Sequence, residues 1–277
     1  MRRGTQLCWL NFNKFKFNQL FLSSKVIQPI DLLTRIKEDL RKEPVFDHPF
    51  LHRFGQMHPD QLARFLREQN ELTRVYPHLI ARLYGNAPDL RNGHPVSRSE
   101  LAQPLLPHII YNPYFRNFAS LPQESSDRCV TETIGYVRSL EGACQDPFPS
   151  AVAAIGYGLV FGDCIAAPKI LAGMKQIAED HSVIVADGLF RDLNDAEAII
   201  TPFETVLSTL IGSAADRYTQ LIPAAAKNIL LERKRWYDKL NKELFKPPQT
   251  DGHSLLTESV AAGGSLEGVP EPVHPVT

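Results

Sequence analysis

The residues best placed to do chemistry together are Asp163, Asp187, Asp192 and Asp195, with Arg191 among them, all within Tyr157–Pro202. They adjoin some of the most apolar sequence in the chain, GYGLVFGDCIAAPKIL. Carboxylates in such company need a cation, a guanidinium or solvent. In a helix, Arg191 stands one turn after Asp187 and one turn before Asp195, so the three can pair along one face. That pairing alone would be structural. If Asp163, Asp187, Asp192 and Asp195 instead converge, they form an oxygen-only ligand set. Such a set suits Mg²⁺ better than iron, and Mg²⁺ commonly works by holding substrate phosphates. Asp163 and Asp195 are the leading candidates for catalytic ligands or acid–base groups. Arg191 would bind an anion or supply counter-charge.

The elements that position these residues read as helices. The segment 31–46 carries Leu32, Leu33, Ile36 and Leu40 at helical spacing and stops at Glu43-Pro44. Pro49 suits a new first turn. Residues 58–89 form one broad apolar stripe, kinked at Pro77 and ended by Gly85-Asn86. Gln69 lies near the centre of that stripe, with Tyr76 two turns on. Glu71 and His78 share a face with several arginines, which reads as solvated. The stretch 104–128 alternates prolines with aromatics, including His108 and Tyr114. Further helices are expected over 129–143, about 150–176, the acidic run 186–200, 201–222 and 223–245. No strand pattern is evident. The expectation is an all-α single domain of about seven to eight helices over 29–246, between an N-terminal extension (1–28) and a disordered tail (247–277).

Composition narrows the partners. With 30 basic against 31 acidic residues, nothing favours nucleic acid. Cys8, Cys129, Cys144 and Cys164 have no metal-finger spacing and read as free thiols in a reducing compartment, here the cytoplasm. No unbroken apolar run approaches the roughly 18 residues of a transmembrane segment. Residues 1–28 are basic and aromatic, a composition shared with organellar presequences and membrane-surface segments. No heme, nucleotide or flavin motif is present. The expected partner is an apolar small-molecule substrate, and a homodimer is compatible with the sequence.

Two blocks, DHPFLHRFGQMHPDQLARFLREQNELTRVYPHLIARL and AVAAIGYGLVFGDCIAAPKI, are similar to the heme-oxygenase-like superfamily. LFRDLNDAEAI falls where that family has its last ligand helix. The branch it resembles best is that of the non-heme diiron oxidases, which includes the chlamydial death-domain-associating protein. The resemblance implies a heme-oxygenase-like helical bundle. It also implies where iron ligands would lie. The family's HxxxDxxH lands on Arg191, Asp195 and Ala198, its central glutamate on Leu159, and its earlier ligands near His108 and Tyr114. The diiron set is therefore mostly unmatched.

Taken with the apolar surroundings of the acids, this resemblance implies a small-molecule biosynthetic enzyme on that scaffold, acting on an apolar substrate. Gln69, Tyr76, Tyr114, Tyr157, Leu159, Phe161 and Phe190 are the residues expected to line its pocket. Mg²⁺-assisted loss of diphosphate, as in isoprenoid and terpene chemistry, fits an acid-lined apolar pocket. The alternatives are an O₂-dependent iron oxidase using Asp195 and His108, and a non-catalytic protein that binds a ligand or partner.

Overall fold

Prolines and side-chain caps set most helix boundaries. The computed structural model describes residues 28–88, 97–110, 131–182, 195–212 and 215–246. The N-terminal extension to residue 27 and the tail from 247 lie outside these, as do Tyr114, Asp187, Phe190, Arg191 and Asp192. Helix α1 (Pro29–Leu40) has proline in its first turn and buries Leu32, Leu33, Ile36 and Leu40. A 3₁₀ turn (Pro44–Asp47) leads to α2 (Pro49–Arg53), where the His48 side chain accepts from Phe50 N. In α3 (Pro59–Asn86), His58 and Gln61 form a capping box. Short helices α4 (Arg98–Ala102) and α5 (Leu106–Ile110) precede α6 (Thr131–Ala143). His48 and His58 are therefore caps, and His52 pairs with Asp47 at the surface.

The centre is one rod of 34 residues, Phe148–His181. It comprises α7 (Phe148–Ala153), a π-helical segment (Ala154–Phe161) and α8 (Gly162–His181). By length and hydropathy this helix could cross a membrane, although scattered polar residues break its apolar run. Its most apolar window is 89% buried inside the bundle, which accounts for the composition. Helices α9 (Ala196–Ile211) and α10 (Ala215–Leu244) complete the fold, and the described residues contain no strand.

The last two boundaries correct the sequence reading. Pro202 and Pro223 lie inside α9 and α10, and the break falls after Gly212. An interior proline costs about 3 kcal/mol. Here the buried stripe runs across each one: Ile200, Phe203, Val206, Leu207 and Leu210 in α9, and Ile222, Ala226, Ile229 and Leu230 in α10. Each fully buried large side chain contributes about 1.5–3 kcal/mol, enough to outweigh the proline.

Aromatic rings dominate one end of the core. Phe50, Phe54, Phe65, Tyr136, Trp236 and Tyr237 are all buried and pack ring to ring, Phe54 against Phe65 at 4.9 Å and Phe50 against Tyr237 at 5.1 Å. Glycines let the rod approach its neighbours. A Cβ on Gly156 would lie 2.8 Å from Phe203, and one on Gly158 would lie 2.5 Å from Ile229 Cβ. α9 and α10 thus press directly on the π segment.

Candidate functional site

Three groups of polar side chains lie within this apolar centre. At its middle, Arg233 of α10 is fully buried and forms an ion pair with Asp163 at the start of α8. Its second terminal nitrogen donates to the carbonyl oxygens of Leu159 (2.8 Å) and Gly158 (3.4 Å) in the π segment. Burial works against the guanidinium charge, but Asp163 opposite more than restores it and holds Arg233 above its ordinary range. A planar fork suits one carboxylate and two carbonyls at once. Gly162 leaves room for it, since a Cβ there would meet the guanidinium carbon at 3.2 Å.

Toward α5, Tyr76 Oη and His108 Nδ1 are 2.7 Å apart, both residues being buried. Burial lowers the His108 pKa to about 4, a hydrogen bond to the Ile199 backbone pulling the other way. The imidazole is thus neutral at pH 7, and Tyr76 donates to it. Burial likewise keeps the Tyr76 phenol protonated, with Cys164 and Asp163 acting in the same direction. Toward α6, Trp236 Nε1 donates to Thr133 Oγ1 (2.7 Å), which donates to the buried carboxylate of Glu68 (2.6 Å).

A second cluster lies on the α1 side of the rod. Tyr157 donates to Glu204 (3.0 Å), and Lys37 Nζ reaches Glu204 (3.1 Å) and Glu197 (2.8 Å). Burial opposes the Lys37 charge, and the two glutamates outweigh it, so its pKa is raised. Burial and Glu204 both raise the Tyr157 pKa. Phe161 sets its ring edge-on to Tyr157 at 6.0 Å, and Arg41 covers it at 5.2 Å.

The expected site residues are thus distributed unevenly. Asp163 pairs with Arg233, and Tyr76, which feels the Asp163 charge, pairs with His108. Gln69, Leu159, Tyr157 and Phe161 are all buried near the middle of the bundle. Asp195 is separate: it is exposed, has non-helical backbone (φ −95°, ψ 68°) and caps α9 by accepting from Ala198 N at 3.1 Å. Its expected partners along a helix face, Asp187 and Arg191, lie outside the described residues. On α3, Glu71 pairs with Arg74 at the surface, as a solvated face requires.

Sequence reasoning missed Arg233, Glu68, Thr133, Lys37 and Glu204. A signal existed for the first. Arg233 falls in register with Ile222, Ala226, Ile229, Trp236, Tyr237 and Leu240, a cation on the apolar face of an otherwise amphipathic helix.

Among the described residues the polar side chains are engaged with one another. Among the described residues no three His, Cys, Asp or Glu side chains stand close enough to hold a metal. Asp163 is paired with a guanidinium, and His108 Nδ1 is hydrogen-bonded to Tyr76. Arg233 would add a positive charge beside any cation there.

His108 makes stability depend on pH. The unfolded imidazole takes a proton near pH 6.5, whereas the folded one resists until about 4. Its contribution is complete above pH 6.5 and is lost as pH falls from 6.5 toward 4, amounting to about 3 kcal/mol. Urea unfolding at pH 7.5 and 4.5 should show this loss in wild type and a smaller one in His108→Asn, whose carboxamide can still accept from Tyr76.

No known family model matches the chain, and no curated protein matches it. Among solved structures, a TenA homologue from Pseudomonas syringae pv. tomato superposes with a TM-score of 0.53 at 14% sequence identity, covering 78% of this chain and 91% of its own. TenA has a heme-oxygenase-like fold. The present chain has that all-α, heme-oxygenase-like architecture.

Proposed function

We propose that this protein is a small-molecule enzyme on a heme-oxygenase-like scaffold that handles an apolar substrate without a diiron centre. The observation that carries this reading is the buried Arg233 guanidinium, bonded to Asp163 and to the Leu159 carbonyl. It puts a permanent positive charge beside Leu159, the residue onto which the resemblance in sequence puts the family's central glutamate. Buried charge of this type costs stability unless well paired, and a purely structural core would be served as well by apolar residues. The neutral His108–Tyr76 pair supplies a proton donor and acceptor in the same apolar surroundings. The iron-oxidase alternative would have to free a His108 nitrogen. The Mg²⁺–diphosphate alternative loses Asp163 from its ligand set.

Metal analysis of the full chain, produced with added Fe²⁺ and Mn²⁺, tests this reading. Less than a tenth of an equivalent (an order-of-magnitude bound for absence of a specific site) is expected, with no change in melting temperature on chelation. About two irons per chain, removed by chelator with loss of stability, would overturn it.

A further inference from the structure

A cleft of about 360 Å³ opens to solvent between α6 and α10, away from the buried pairs described above. The two helices run antiparallel: Trp236 meets Thr133 near the start of α6, and Ser139 and Ala143 share the cleft with Asn228 and Ala225. Small side chains leave the space. Ala143 of α6, Ala154 at the start of the π segment and Ala225 of α10 all line it, and Ile229 forms a buried apolar wall. The volume falls within the roughly 300–1,000 Å³ usual for small-molecule sites. Leu231 also lines it and is 49% exposed, an apolar surface that a bound molecule would cover.

The polar groups of the cleft stand on well-fixed backbone. α6 ends in a turn where Gln145 N donates to the Gly142 carbonyl (2.8 Å) and Asp146 N to the Ala143 carbonyl (3.2 Å). The Asn86 side chain donates to the Cys144 carbonyl at 3.0 Å and ties this turn to α3. Asp146 lines the cleft from that turn, exposed and without an ion pair among the described residues. Glu232 lines it from α10, with Arg235 pairing to one of its oxygens from outside the lining. The Ser139 hydroxyl donates to the Gly135 carbonyl, so its oxygen remains an acceptor, as does that of Asn228. No Lys, Arg or His is among the lining residues.

Acids on an open surface are ordinarily just solvated. These two border an apolar floor, and charges of one sign beside low-dielectric walls concentrate ligands of the opposite sign. A cation with a small apolar body matches both halves of the cleft. An anion would meet two carboxylates and no cation. A neutral molecule could occupy the floor but would gain nothing from Asp146.

We propose that this cleft binds small organic ammonium compounds, Asp146 receiving the ammonium group and the alanine floor the apolar body. The inference concerns a second site and goes beyond the small-molecule reading above.

Benzylamine, benzyl alcohol and phenylacetate are matched probes, respectively cationic, neutral and anionic at pH 7. Each is titrated at low salt into the full chain and into Asp146→Asn, with binding followed by backbone amide NMR. Benzylamine is expected to bind wild type about three- to fivefold more tightly than benzyl alcohol, the scale of one solvent-exposed ion pair, and phenylacetate the most weakly. The amide shifts should cluster in residues 139–146 and 225–232. Asp146→Asn alters an exposed turn residue, and it should bring benzylamine down to the affinity of the alcohol while leaving the alcohol unchanged. Four results would overturn the proposal: equal binding of amine and alcohol to wild type, an amine preference that survives in Asp146→Asn, shifts centred elsewhere, or no binding of any probe. Iron found in the protein would sink the metal-free reading and leave this comparison intact.

Discussion

Arg233→Met is expected to destabilise the protein by about 3–5 kcal/mol, the usual cost of removing one partner of a buried ion pair. Three losses act together. Asp163, 8% exposed, loses the guanidinium that faces it from α10. The Leu159 and Gly158 carbonyls lose their side-chain donor within the π segment. Methionine fills part of the volume and none of the hydrogen bonds. Arg233→Lys should recover only a fraction, because an ammonium is a point charge and cannot span a carboxylate and two carbonyls. Urea unfolding at pH 7 measures both variants. A cost below about 1 kcal/mol for methionine would place the pair among surface-like ion pairs, contrary to its burial.

The second large effect is steric. Gly158→Ala puts a methyl carbon 2.5 Å from Ile229 Cβ and 3.0 Å from the Ala226 carbonyl oxygen, where neither neighbour is the end of a flexible chain. Overpacking of this kind costs about 1–3 kcal/mol or more, and it should separate α10 from the π segment that holds Arg233 in place. Gly135→Ala is the natural comparison. It lies within α6, exposed, with nothing near the added carbon, and alanine there should stabilise by about 0.5–1 kcal/mol. Opposite signs for one substitution at two helical glycines would trace the effect to close approach. Destabilisation of similar size at both would point to helix propensity or the unfolded chain instead.

The fold was legible in the sequence because its determinants are local. Pro29, Pro49 and Pro59 begin helices, Ser97, His48 and His58 cap them, and the apolar stripe of α3 persists through Pro77. The rod was marked as central by being apolar on nearly every face, but its π register is a product of tertiary packing and has no spacing signature. The site was legible only in part. Asp163 stood out as a lone acid in an apolar helix, where a metal or a guanidinium has to answer its charge. Its partner is 70 residues away in sequence, on a helix crowded with ordinary surface charges. Local spacing drew attention instead to Arg191, a few residues from three aspartates. Lys37 and Glu204, 167 residues apart, were hidden for the same reason. Pairs made by packing distant helices leave a trace only as charges on apolar faces, and Arg233, Lys37, Glu68 and Glu204 all carry that mark. Asp195 caps α9, and a helix N-cap and a helix-face ligand look alike in sequence until the backbone turn is known.

The central claim is that the core's charge centre is the Arg233–Asp163 pair itself. A double-mutant cycle tests it most directly, comparing wild type, Asp163→Asn, Arg233→Met and the double variant by urea unfolding. The two single costs should exceed the double cost with a coupling of about 2 kcal/mol or more, because removing both charges leaves neither one unmatched. Costs that simply add, to within about 0.5 kcal/mol, would contradict the account and mean that Asp163 is held by something other than Arg233.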